Sequence, residues 1–190
     1  MSASVAPLPQ VRVHLVVGLL AAVLTGCGDS SPGLQPDTDP TLSGSPSRSQ
    51  EVAPADGPIV ANAHASYRVP KGFEVADELA GTIPANASGS SRSAITLGEF
   101  PAVGTTDLGT VAGVVASNVA RGRPPRQMAQ ATLDGEPAFH LAGRVEPGQR
   151  FEAYGAVHDD TVVYVRFDLD GSRAATAAVI ESVLATWQWK

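Results

Sequence analysis

Apolar residues fall along this chain in three textures. Behind Arg12 and His14, Leu15 to Leu24 is apolar apart from Gly18. Residues 28–58 then carry almost no large apolar side chain, and from about Ile59 apolar positions return at regular periods. Tyr67 and Val69 alternate before Pro70, and Phe73 and Val75 follow the Lys71-Gly72 turn, which predicts two short extended pieces. Ile95 and Leu97 predict a strand closing near Phe100-Pro101. The segment before it, through Pro84 and Asn86 to Ser91, reads as a polar loop. Leu108, Val111, Val115 and Val119 fall at helical spacing, with Ala112 and Ala116 widening the stripe. Thr106 and Asp107 are N-cap candidates for this helix, and Gly122 with Pro124-Pro125 ends it.

A meander follows. Phe139, Leu141, Gly143 and Val145 alternate, then Phe151, Ala153, Gly155 and Val157, then Val163, Val165, Phe167 and Leu169. Asp134-Gly135, Glu146-Pro147-Gly148 and His158-Asp159-Asp160 supply the turns, and strands joined so closely must be antiparallel. Ser172 caps a last helix whose stripe is Thr176, Val179, Ile180, Val183, Leu184 and Trp187. The expectation is one α+β domain over 59–190, a central antiparallel sheet flanked by helices around a single core.

The apolar run near the N-terminus is too short to span a bilayer, which takes about 20 apolar residues. Its basic lead-in and length fit a secretory signal. It ends in Leu24-Thr25-Gly26-Cys27, which resembles the lipobox of bacterial lipoproteins. The expectation is therefore a signal peptide over 1–26 and a lipid-bearing Cys27 at the extracytoplasmic face of the cell membrane. Residues 27–58, rich in Pro, Ser, Thr and Asp, read as a disordered tether with a reach on the order of 30 Å.

Charge and cysteine narrow the choices. After Cys27 the chain holds nineteen acidic and twelve basic residues, a formal charge of −7. That balance opposes nucleic-acid binding, which needs clustered Lys and Arg. One cysteine excludes an intrachain disulfide, so packing alone must hold the domain together.

Three local motifs add a family likeness: Tyr67-Arg68-Val69-Pro70-Lys71-Gly72-Phe73, Leu133-Asp134-Gly135-Glu136-Pro137-Ala138 and Val183-Leu184-Ala185-Thr186-Trp187-Gln188-Trp189. Together with the element order, they resemble the PsbP/Mog1-like fold over about residues 64–189, above all the actinobacterial lipoproteins of the LpqN/LpqT type. The resemblance implies a central antiparallel sheet flanked by helices, and a non-catalytic binding or accessory role in assembly or transport. It brings no catalytic constellation and no cofactor.

Candidate sites are few. His64, His140 and His158 lack metal-ligand spacing and read as surface histidines. Asp168-Leu169-Asp170-Gly171-Ser172 begins like a calcium loop but lacks the remaining ligands, so a strand end and helix cap explain it better. No serine elbow or phosphate-binding glycine loop is present, which disfavours an enzyme. Two binding candidates remain. Arg121, Arg123 and Arg126 flank a stiff Pro-Pro loop suited to lipid phosphates or an acidic partner, although a solvated helix end accounts for them more simply. The polar positions of the meander, His140, Arg144, Glu152, Tyr154, Tyr164, Arg166 and Asp168, would form a mixed aromatic and charged surface if these strands neighbour each other. The functional expectation is a tethered module for an envelope protein partner. The alternative is a carrier of a small apolar or lipid ligand held among Phe139, Phe151 and Phe167.

Overall fold

The computed structural model describes residues 52–89, 91–119, 124–144 and 146–190. Cys27, Arg121 and Arg123 lie outside the described residues. The elements in order are β1 (Ile59–Ala61), β2 (Ala65–Arg68), β3 (Phe73–Val75), β4 (Thr82–Ala87), β5 (Ala94–Pro101), α1 (Leu108–Val119), β6 (Arg126–Gln127), β7 (Ala131–Leu133), β8 (Glu136–Gly143), β9 (Gln149–His158), β10 (Thr161–Asp170), α2 (Arg173–Leu184) and β11 (Gln188–Trp189). An antiparallel sheet runs β3-β4-β5-β10-β9-β8-β6, with β7 paired to β8. A second, three-stranded sheet runs β1-β2-β11. The fold is α+β, as expected.

Both helices start where their sequences provide a cap. The Asp107 carboxylate accepts from the Thr110 amide at 2.8 Å, and the Ser172 hydroxyl accepts from the Ala175 amide at 3.2 Å. Each bond satisfies an amide that a helix start leaves without an internal partner. Val111, Val115 and Val119 bury the apolar stripe of α1 against the sheet, each side chain contributing about 1.5 kcal/mol or more.

Three expectations need correction. The stretch read as a polar loop contains β4, paired to both β3 and β5. Pro84 is tolerated there because pairing with β3 stops at Ala85. The Pro84 carbonyl takes the Ala76 amide at 2.9 Å, so its missing N–H falls just beyond the end of the neighbouring strand. The folded domain also starts ahead of Ile59. Ala55 is buried, its amide donates to the Ser182 carbonyl at 2.9 Å, and the Gly57 amide donates to Val69.

The third correction concerns the core. Two buried clusters exist, one on each face of the large sheet. Val111, Val115, Phe139, Leu141, Phe151 and Ala153 pack under α1. Val165, Phe167, Ile180, Val183, Tyr67 and Trp187 pack on the other face, beneath α2 and the small sheet. The cause is the turn between β9 and β10. Asp159 and Asp160 take φ of 47° and 59°, and His158 pairs with Thr161, which is the two-residue turn that suits strand twist. Val165 therefore lies opposite Tyr154, and Phe167 opposite Glu152. The apolar positions of β10 point away from those of β8 and β9.

Close packing at the sheet centre gives a first prediction. A Cβ on Gly155 would sit 2.6 Å from both the Phe139 ring and the Tyr164 Cβ. Gly155→Ala should cost about 1–3 kcal/mol by overpacking, read as a lower urea midpoint. By contrast, the Tyr67 hydroxyl is buried with no hydrogen-bond partner among the described residues. Tyr67→Phe should leave the midpoint unchanged or raise it, since no bond is lost.

Candidate functional site

On β8 and β9 the polar positions that share the α2 face converge. His140 pairs across with Tyr154, and their rings stack at 4.2 Å between centroids. Glu152, two residues from Tyr154 on the same face, is buried with its side chain only 5% exposed. Its Oε2 accepts from the Tyr154 hydroxyl at 2.6 Å and lies 3.1 Å from His140 Nε2. Its Oε1 accepts from the Arg150 guanidinium. Burial alone raises the Glu152 carboxyl, but hydrogen bonds with His140, Tyr154 and Arg150 overcome it and bring it from 4.5 to about 2. Tyr154 moves the other way, pushed up first by burial and then by the charge it donates to.

Arg150 also reaches outward. Its second terminal nitrogen donates at 3.0 Å to the Arg173 carbonyl and at 3.0 Å to the Thr176 hydroxyl. The guanidinium thus bridges β9 to the first turn of α2. Beside this bridge an open cleft of ≈ 550 Å³ is walled by His140, Arg144, Arg150, Glu152 and Arg173, with Met128 and Ala142 adding apolar surface. Arg126 and Arg144 line an adjoining groove. Neither Arg144 nor Arg173 has a carboxylate partner among the described residues.

The expected mixed surface is therefore divided. The structure brings His140, Arg144, Glu152 and Tyr154 together, and Arg126, paired opposite Ala142, joins that face. Tyr164, Arg166 and Asp168 lie on the other side of the sheet. Tyr164 packs edge-on to Phe100 at 6.2 Å, and its hydroxyl is shifted up by burial. Arg166 sits over the Phe151 ring at 5.6 Å and pairs with Asp168 at 2.6 Å. Asp170 pairs with Arg92 at 3.3 Å, as a strand end would. His158 stacks on Trp189 at 4.6 Å and meets Glu136 at 3.2 Å. A smaller recess of ≈ 340 Å³ lies between β2 and the end of α2, but its cation, Arg68, is turned to the Gly57 carbonyl at 3.1 Å.

Sequence reasoning missed Arg150, Arg173 and Thr176. Arg150 was readable as the even position of β9 just before Glu152 and Tyr154. Arg173 stands directly after the Ser172 cap and carried no signal of its own.

Comparison with solved structures places this architecture. The solution structure of cyanobacterial PsbP from Synechocystis sp. PCC 6803 superposes with a TM-score of 0.52 at 12% identity, covering 70% of this chain and 92% of that one. The domain has a PsbP/Mog1-like fold. The Ran-binding protein Mog1p of Saccharomyces cerevisiae also matches, at a TM-score of 0.46 and 13% identity, over 70% of this chain and 95% of that one. No family model matches the sequence, and no curated protein does. At such identities the likeness carries the PsbP/Mog1-like fold and leaves function to the residues of the site.

The network around Glu152 predicts a response to acid. Its carboxyl is held below the unfolded-chain value, so unfolding takes up a proton as pH falls. The stability this group contributes should be complete above about pH 4.5 and be lost progressively toward pH 2. Glu152→Gln should cost about 1–3 kcal/mol at neutral pH and flatten the loss over that window in urea titrations. An unchanged acid profile would remove Glu152 from this role.

Proposed function

We propose that this chain is a lipoprotein held by lipid on Cys27 at the outer leaflet of the cell membrane, and that its PsbP/Mog1-like domain is a non-catalytic module binding an envelope protein partner. The observation that carries the binding reading is the cleft. In an acidic chain, Arg144 and Arg173 stand at its rim without carboxylate partners among the described residues, and Arg150 behind them is fixed by three acceptors. Arg144 and Arg173 are exposed and bring uncompensated positive charge to an anionic group, beside one guanidinium already held in place.

A non-catalytic role is supported by how the ionisable groups are spent. Both Glu152 oxygens are occupied, the Tyr154 hydroxyl is a donor made harder to ionise, and the His140 ring is stacked and tied to the same carboxylate. The carrier alternative has less behind it. Phe139 and Phe151 belong to the core under α1, Phe167 to the core under α2, so the three aromatic side chains do not enclose one space.

Two measurements test the reading. Cys27→Ser should abolish lipid labelling and move the protein from the detergent phase to the aqueous phase; unchanged partitioning would refute the anchor. Proximity labelling in cells from the full chain should mark a defined envelope protein. A charge-reversed Arg144→Glu/Arg173→Glu variant should lose that mark while Arg166→Glu, on the other face, keeps it. Equal labelling by both variants would refute the cleft as the binding surface.

A further inference from the structure

The geometry points to a phosphomonoester as the group that the cleft takes, its dianionic phosphate held between Arg144 and Arg173. This rests on the cleft being a recognition surface and goes beyond the protein-partner reading: the ester and the partner's anionic group take the same two arginines and exclude each other there.

Charge makes the first argument. Three guanidinium groups and one carboxylate line the cleft. Glu152 spends its Oε1 on Arg150 and its Oε2 on Tyr154 and His140, so it neutralises Arg150 and has no oxygen left for the rim. Arg144 and Arg173 keep two positive charges facing solvent. A single carboxylate would balance only one of them. A phosphate monoester, carrying close to two negative charges at neutral pH, balances both and offers three terminal oxygens to two forked donors.

Shape makes the second. Gly143, Gly148 and Gly171 contribute to the wall. Gly148, at φ +82°, has nothing within 4 Å of where a Cβ would stand. The backbone there admits close approach by a bulky tetrahedral group. The Arg150 bridge fixes the Arg173 carbonyl, so the base of one phosphate-binding side chain is set before any ligand arrives. The start of α2 adds a favourable dipole, a supporting contribution only.

Size makes the third. At ≈ 550 Å³ the cleft is roomier than an inorganic phosphate requires, and Met128 and Ala142 line part of it. That apolar wall suits the organic portion of an ester. The ester has two sources, a soluble phosphorylated metabolite or the headgroup of a phosphomonoester lipid in the adjacent membrane.

The test uses the full chain carrying Cys27→Ser, so that the acyl chain does not itself bind vesicles. Inorganic phosphate, glycerol 3-phosphate and succinate are titrated by calorimetry and by amide chemical shifts. Phosphate and its ester should bind saturably and more tightly than succinate, with shifts at Gly148, Gly171 and Arg173. Arg144→Gln and Arg173→Gln should each weaken binding about 10-fold, the loss of one charge-assisted pair, while Arg166→Gln leaves it unchanged. Flotation with phosphatidylcholine vesicles containing phosphatidic acid identifies the lipid source. Glycerol 3-phosphate binding without flotation identifies the soluble one, and either supports the proposal. Succinate binding as tightly as phosphate, no saturable phosphate binding, or binding indifferent to Arg144 and Arg173 would overturn it. If phosphate fails while partner labelling still depends on Arg144 and Arg173, the binding module stands without the phosphate. If both fail, the cleft has no recognition role.

Discussion

The Asp159-Asp160 turn governs more of this molecule than any single buried contact. With only two residues in the loop, His158 must face Thr161, and every odd position of β10 is set opposite an even position of β9. A turn one residue longer would move each β10 side chain to the other side of the sheet. Because β10 is the middle of the large sheet, paired to β5 as well as β9, that choice of phase spreads outward. It places Val165 and Phe167 under α2 and leaves Phe139 and Phe151 for α1, which is why the sheet needs cover on both sides.

The cover is diagonal. α1 packs on β6, β8 and β9, while α2 packs on β10 and β2. Each helix thus protects the strands that the other leaves bare on its own side. On the α2 side the uncovered area falls over the ends of β8 and β9, and there the sequence supplies Arg150, Glu152 and Tyr154 rather than apolar residues. A buried carboxylate is costly unless its lone pairs are filled, and Glu152 meets that demand by drawing donors from two strands. The same bonds give the cleft its floor and one wall.

Much of the architecture was legible in the chain because periodicity reports burial directly. The two helices, their caps at Asp107 and Ser172, and the three long strands follow from apolar spacing and turn residues. β4 was hidden because Pro84 and the surrounding small polar residues carry the local signature of a loop, and pairing on both sides overrides it. Alternation was read correctly within each strand, yet its phase between strands was not. That information sat in the Asp159-Asp160 turn length and was recoverable by counting. Ala55 was invisible for another reason: it is a small residue in a Pro-rich stretch, buried by contacts with residues more than a hundred positions away. The cleft was half legible, since Arg144, Glu152 and Tyr154 stood out, whereas Arg173 is an ordinary helix-start residue that only the tertiary fold gives a purpose.

Two other parts of the chain are fastened to opposite ends of one helix. The incoming chain is pinned at Ala55 to Ser182, in the last turn of α2, whereas Arg150 grips Arg173 and Thr176 in the first. From Arg173 to Ser182 the helix rises about 14 Å. Mechanically, α2 is then a strut loaded at both ends. A load applied at either end would pass to the other through the packing of Ile180 and Val183 in the core.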